Sequence, residues 1–270
     1  MRVGVIQLCS GSDINCNLKE VEYFIRAAAK DGAKLIATPE MTHIIQRNPK
    51  ELLKNIHEES HDPGVKLFSA LAKELSVNIL VGSLAIKAKF NKAINRSFMF
   101  GAGGTIKARY DKIHLFDAKA SEDEIWQESN LFIAGDTPVL VNVEAARIGL
   151  SICYDLRFPY LYRVYAQANA NILSIPAAFT VPTGKAHWEI LLRARAIETG
   201  SFVIAPAQVG LHEDGRSTYG NSMVIGPWGK IRSVIKNNRP DYICCDIDLR
   251  EVNQVRKNIP SLYNKVNLKL

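Results

Sequence analysis

Cysteine is scarce in this 270-residue chain: five residues, at 9, 16, 153, 244 and 245, an odd count with no CxxC pair. That argues against a disulfide framework and a structural zinc site, and it fits a reducing cytoplasm. Acidic residues are outnumbered, 27 against 34 Lys and Arg. Yet there is no basic block, zinc-finger spacing or aromatic ribonucleoprotein motif, so no nucleic-acid partner is expected. The excess charge reads as a solvated surface with a weak pull on anionic substrates. No apolar run is long enough to span a bilayer, and residues 1–8 are too short for a signal-peptide core, so no membrane association is expected. Linkers, low-complexity tracts and sequence repeats are also missing, which leaves one domain over 1–270. No metal or cofactor motif occurs, and none is expected.

What is present is an ordinary globular balance, 47% hydrophobic and 23% charged, enough to bury a core and a site. Short apolar runs predict strands at 3–8, 34–38, 77–81, 139–143, 148–152, 172–175 and 202–206. Helical spacing predicts helices over 17–30, 160–169, 186–198 and 249–257. The helix over 186–198 carries Ile190, Leu191, Ala194 and Ile197 on one face. Two more helices lie between 49 and 75, broken at Asp62-Pro63-Gly64. Hairpins are predicted around Gly101–Thr105 and Pro227-Trp228-Gly229. Cys244 and Cys245 are adjacent in a strand-like run and so face opposite ways. Strand–helix–strand units mixed with hairpins imply mixed sheets with helices on their outer faces. Residues 115–137 lack a clear period, and a loop of that length usually has a job.

Three side chains follow strands directly. Glu40 comes after Thr38-Pro39, where proline stops the strand. Lys112 lies in Arg109-Tyr110-Asp111-Lys112-Ile113-His114. Cys153 ends the run Ile148-Gly149-Leu150-Ser151-Ile152 and precedes a helical pattern, the place where open α/β sheets put their chemistry. A helix start behind Cys153 would favour the thiolate. Each residue has an ordinary alternative: a loop carboxylate, a solvated lysine, a buried apolar thiol. Together they could supply a base, an electrophilic stabiliser and a nucleophile.

In these contexts, Thr38-Pro39-Glu40, Tyr110-Asp111-Lys112-Ile113-His114 and Ser151-Ile152-Cys153-Tyr154-Asp155, the chain resembles the carbon–nitrogen hydrolases of the nitrilase superfamily over nearly its whole length. The resemblance implies a Glu40–Lys112–Cys153 triad and an α/β fold, a four-layer αββα sandwich of two mixed sheets. It also implies protomers paired as a homodimer or higher homo-oligomer. It adds Glu128, in Trp126-Gln127-Glu128, as an anchor for Lys112; the alternative is a loop carboxylate.

The stretches 176–189, 191–198, 205–210 and 222–229 resemble the deaminated-glutathione amidase branch, with the ω-amidases as neighbours; an ω-amidase or a broader short-chain amidase is the alternative assignment. The implied substrates are small 2-oxo acid amides, cleaved through a cysteine thioester to release ammonia and an acid. A cation should then hold the oxo-acid carboxylate, and Arg157 can grip it bidentately. Phe179 and Thr183 are implied pocket residues, against the alternatives of core packing and a helix N-cap. Tyr154 is expected to supply a backbone N–H to the oxyanion. His187 is read as structural. Asn221 stands where the family pattern leads us to expect histidine, and Met41-Thr42-His43 departs from the usual aromatic; both are expected near the pocket rim. An inactive scaffold and a redox-sensing thiol remain as rivals, the latter without a resolving cysteine nearby.

Overall fold

Alternation along each strand decides which sheet face meets which layer. The computed structural model describes residues 1–119 and 125–264. In the strand Arg2–Gln7, Val3 and Val5 face one hydrophobic core and Ile6 another. Leu35 and Ala37 against Ile36, and Leu80 against Ile79 and Val81, divide in the same way, as a two-residue period requires.

The first six-stranded sheet runs Asp241–Asp246, Arg2–Gln7, Leu35–Ala37, Asn78–Lys87, Ala93–Phe100, Ile106–Asp111. Its second to fourth strands are parallel and the others antiparallel. The second sheet runs Leu140–Val143, Ala146–Leu150, Ile172–Ser174, Phe202–Ala205, Met223–Ile225, Ile231–Val234. It repeats that plan, with three parallel strands inside antiparallel flanks. The duplication is architectural, since the sequence shows no repeat.

Helices Ile14–Lys30 and Pro63–Leu75 cover the outer face of the first sheet. Asp13 caps the first by accepting from Cys16 N–H at 2.9 Å. Asp62 caps the second, with Pro63 in its first turn, where a missing N–H costs nothing. Pro159–Gln167 and Glu189–Thr199 pack on the second sheet. The result is the expected αββα sandwich, its two sheets sharing one core. Cys244 and Cys245 point to opposite cores as predicted.

Two readings need correction. The helix over 186–198 begins earlier, as a turn at Val181–Thr183 and a π-helical stretch Gly184–Trp188. Its buried positions are Trp188, Leu192, Arg195, Ala196 and Thr199. Ile190 and Ile197, expected inside, are 68% and 55% exposed. Arg195 can be buried because its guanidinium donates to the Leu156 carbonyl and Glu198. The described part of 115–137 is also more regular than its composition suggests, residues 120–124 lying outside the described residues. Asp117–Lys119 pairs antiparallel with Ile125–Gln127, and Glu128–Asn130 forms a 3₁₀ turn. Strands of three residues are too short to display a period. Among the described residues no helix is long and apolar enough to cross a membrane.

Candidate active site

Glu40, Lys112 and Cys153 come together at the C-terminal ends of strands drawn from both sheets. Glu40 follows Leu35–Ala37, Lys112 follows Ile106–Asp111, and Cys153 lies three residues beyond Ala146–Leu150. All three are buried, at 4%, 2% and 8% exposure. The Lys112 ammonium donates to Glu40 Oε1 at 2.9 Å and to Glu128 Oε2 at 2.8 Å. Asn95 Nδ2 bridges the same carboxylates, at 2.9 Å to Glu40 and 3.2 Å to Glu128. Glu128 also accepts the Phe116 N–H at 2.6 Å. The Glu128 side chain therefore sits on Lys112 rather than in a solvent loop.

Backbone constraints aim these groups. Glu40 Oε2 accepts the Ala178 N–H at 2.9 Å, and Gln208 Nε2 holds the Glu40 carbonyl at 3.0 Å. Lys112 N–H donates to the Asn95 carbonyl, and the Lys112 carbonyl accepts from Gly135 N–H. Gly82 makes room for the Glu40 loop: a Cβ there would lie 2.1 Å from the Thr38 carbonyl and 2.4 Å from that of Pro39. Cys153 has φ of 49°, a left-handed conformation that costs a non-glycine residue roughly 1–2 kcal/mol. Its N–H is tied to the Pro176 carbonyl at 2.8 Å. Such strain persists only where surroundings over-determine it.

Part of that determination comes from Asp155, which the sequence reading passed over. Fully buried, it accepts from Ile152 N–H at 2.8 Å and Tyr110 hydroxyl at 2.7 Å through Oδ2. Through Oδ1 it accepts from His114 N–H at 3.0 Å and contacts His114 Nδ1 at 2.6 Å. One carboxylate thus joins the turn carrying Cys153 to the segment carrying Lys112. Its signal was its place two residues after the thiol. Asn95 and Gln208 had no local signal, because an amide at a strand end looks the same whether it points in or out.

Charge sets the resting protonation state. Burial would raise the Glu40 pKa, but the Lys112 ammonium and the Cys153 and Asn95 hydrogen bonds hold it below the usual range. Burial would lower the Lys112 pKa; the Glu128 and Glu40 carboxylates hold it well above normal. Burial pushes the Cys153 thiol up, and the Glu40 charge pushes further, against the opposing pull of Lys112. The pull of the helix start toward the thiolate therefore does not outweigh burial and the Glu40 charge, and Cys153 rests as a thiol. Two carboxylates and one ammonium leave the cluster at one net negative charge. Ionising Cys153 would add a second, whereas passing its proton to Glu40 leaves the total unchanged.

Two cavities meet at Cys153. The larger, about 330 Å³, is lined by Glu40, Lys112 and Glu128 and opens past Met41, Phe116 and Trp126. A side pocket of about 20 Å³ is lined by Tyr154, Arg157, Phe179 and Thr183. Phe116, Cys153 and Ala178 belong to both. Arg157 lies 5.4 Å from the Phe179 ring and 5.9 Å from the Tyr154 ring. Its guanidinium meets His187 Nδ1 at 3.3 Å, and no carboxylate pairs with it among the described residues. Thr183 bonds the Thr180 hydroxyl at 2.8 Å and sits inside the helical turn; Thr180 holds the N-cap position. Phe179 is buried against Trp188, with ring centroids 4.9 Å apart, so packing and pocket lining coexist there.

The departures from the family pattern fall differently than expected. Met41 lines the larger cavity, while Thr42 and His43 turn inward to Thr38 and Asp62. Asn221 lines neither cavity; its carbonyl accepts from Trp188 Nε1 and its amide donates to the Tyr219 carbonyl. Among the described residues no cluster of three or more His, Cys, Asp or Glu could hold a metal ion.

A thiol with a carboxylate acceptor and an ammonium beside it can attack a carbonyl carbon and hold the resulting oxyanion. Known proteins share the arrangement's setting. Residues 2–257 match the family Carbon-nitrogen hydrolase. The deaminated glutathione amidase of Synechocystis is 36% identical over 265 residues, covering 97% of this chain and 96% of that protein. The NitFhit protein of C. elegans superposes with a TM-score of 0.91 at 32% identity, covering 98% of this chain; this chain spans 64% of that one. Saccharomyces cerevisiae Nit3, a member of the nitrilase superfamily, superposes with a TM-score of 0.86 at 26% identity, covering 96% of this chain and 94% of that one. With the sandwich, the buried cluster and a family match over almost all of its length, the chain belongs to the carbon–nitrogen hydrolases.

Proposed function

We propose that this protein is an amidase that cleaves a linear amide of a small 2-oxo acid, with deaminated glutathione as the substrate type. One observation carries the reading: a buried thiol, a carboxylate held ionised and a carboxylate-anchored ammonium share one cavity, with the Arg157 guanidinium, paired with no carboxylate among the described residues, alongside.

In the proposed reaction Cys153 Sγ attacks the amide carbon while its proton passes to Glu40. The oxyanion is held by the Lys112 ammonium and by the N–H of Tyr154, which lies in the first turn of the segment Cys153–Arg157 and has no acceptor inside that turn. Each such donor is typically worth about 3–4 kcal/mol. Collapse breaks the C–N bond, and Glu40 returns its proton to the leaving nitrogen. Water, deprotonated by Glu40, then attacks the thioester; the C–S bond breaks and the sulfur regains a proton. A primary amide would release ammonia, as the sequence reading supposed. Deaminated glutathione carries a dipeptide on its amide nitrogen and would release that amine. The 330 Å³ cavity beside Cys153 favours the larger leaving group, since ammonia would leave it empty.

Arg157 is assigned the oxo-acid carboxylate, Thr183 and Phe179 the walls of that pocket, and Glu128 the anchoring of Lys112. Protomer pairing belongs to the same proposal. It is supported by exposed Tyr160, Val164, Ile190, Ile197 and Trp228 on or near the helices over the second sheet. The free cysteines suit a reducing compartment such as the cytoplasm.

The test is a comparison of kcat/KM on deaminated glutathione and 2-oxoglutaramate, with Cys153→Ala as control. Wild type should prefer the former, and the variant should turn over neither while keeping the wild-type circular dichroism spectrum. A tenfold preference for 2-oxoglutaramate, about 1.4 kcal/mol of transition-state binding, would move the assignment to ω-amidase. Cys153→Ala turning over substrate at the wild-type rate would remove the mechanism.

A further inference from the structure

The rim of the larger cavity carries positive charge that the steps above do not use. Arg47 and Arg216 come from segments far apart in the chain, one just before the helix Pro49–Asn55 and one just before the short strand Ser217–Tyr219. Both reach the same ring: their guanidinium carbons lie 4.9 and 5.2 Å from the Trp126 centroid. All three residues line the cavity that holds Glu40, Lys112 and Cys153. Neither arginine has an ion-pair partner among the described residues, and the Arg216 Nε is buried without a hydrogen-bond partner. Both guanidiniums are held at one ring by cation–π attraction, which draws two like charges to the same side chain. An anion at this rim would meet two positive charges and the unsatisfied Arg216 donor.

The position of this pair relative to Cys153 gives it a meaning. Arg157 stands in the side pocket, and Arg47 and Arg216 line the main cavity; Cys153 lies where the two join. An amide whose carbon sits at Sγ can turn its acyl carboxylate toward Arg157 and extend its leaving amine into the larger cavity. The larger volume, about 330 Å³, is at the small end of the usual range for ligand sites.

We propose that Arg47 and Arg216, set by Trp126, form a second anion subsite that takes a carboxylate at the far end of the leaving group. The protein then selects amides acidic at both ends, with Arg157 on the acyl carboxylate and the rim pair on the distal one. This rests on the amidase reading above. It also explains why residues 125–130, which bring Trp126 to the rim, form one compact unit with the Glu128 anchor.

Two amides that differ at a single group test it: 2-oxoglutaryl-cysteinylglycine and the same compound with its terminal carboxylate converted to a carboxamide. Wild type at low salt should favour the acid about tenfold in kcat/KM, and the ratio should approach one in Arg47→Gln/Arg216→Gln. A merely structural role for the arginines would lower both substrates together and leave the ratio intact. Equal rates on both amides in wild type, or an undiminished ratio in the double variant, would overturn the subsite while leaving the amidase assignment standing. Hydrolysis of neither amide by wild type would remove the assignment and the subsite with it. Should the double variant fail to fold, the wild-type ratio decides through its salt dependence. A distal ion pair at an open rim predicts a ratio that falls as salt rises, and a ratio indifferent to salt refutes it.

Discussion

Replacing Asp155 by asparagine should loosen the link between the nucleophile and the ammonium without touching either. Each carboxylate oxygen accepts a backbone N–H, Oδ2 from Ile152 and Oδ1 from His114. An asparagine amide offers one acceptor and one NH₂. Whichever way it is turned, NH₂ faces a buried N–H, so one backbone donor loses its partner. A buried unsatisfied donor costs about 1–3 kcal/mol, and loss of charge assistance in the remaining bonds adds about 1 kcal/mol. We expect a total near 3 kcal/mol in urea unfolding, with an unchanged slope. Activity should fall further than stability alone implies. Asp155 sets the spacing between the Cys153 turn and the Lys112 segment, and a displacement of about 1 Å can cost roughly 10²-fold in rate. The loss should appear in kcat more than in KM, since Arg157 and Thr183 keep their places. Asp248→Asn, at an exposed pair with Arg250, serves as control and should leave the unfolding midpoint unchanged. If Asp155→Asn unfolds within 0.5 kcal/mol of wild type (about the scatter of ordinary surface substitutions) and keeps its kcat, the clamp argument is wrong.

Three further outcomes follow from charge and exposure. Glu40 is held below the ordinary carboxylate range, so its stabilising contribution is complete above the unfolded-state value of about 4.3. That contribution is lost as pH falls through the lower folded value. The acid limb of kcat/KM should accordingly lie below pH about 4.3, measured at pH values where circular dichroism shows the protein folded; a limb near 6 would contradict a salt-bridged Glu40. Because Cys153 is held as a thiol, its alkylation by iodoacetamide should still be rising with pH beyond the ordinary thiol range, about pH 8.5, and a rate already level between about pH 6 and 8 would refute the resting state described. Finally, Ile190→Glu/Ile197→Glu should shift the protein from a paired to a single-protomer mass in light scattering; an unchanged mass would exclude that face as the pairing surface.

The pattern of apolar runs and breakers determined a good deal on its own. Strands read from apolar runs, the helix break at Asp62-Pro63-Gly64 and the hairpin around 101–105 are local properties, fixed within a few residues; the Asp13 cap, which starts the first helix at Ile14 instead of 17, went unread. The positions of Glu40, Lys112 and Cys153 directly after strands were legible for the same reason, and the family resemblance linked them. Distance, burial and charge balance were not. Whether Ile190 faces core or solvent depends on which face of its helix the second sheet takes, and it takes the Leu192–Ala196–Thr199 face. Whether Cys153 rests as thiol or thiolate depends on Glu40, more than a hundred residues earlier, and on the burial of both. Asp155, Asn95 and Gln208 acquire their roles only when two sheets are stacked and strand ends from each are brought within hydrogen-bond reach. Electrostatics and hydrogen bonding act through space, so they were decided by the tertiary structure; strand and helix formation acts along the chain, so the sequence could announce it.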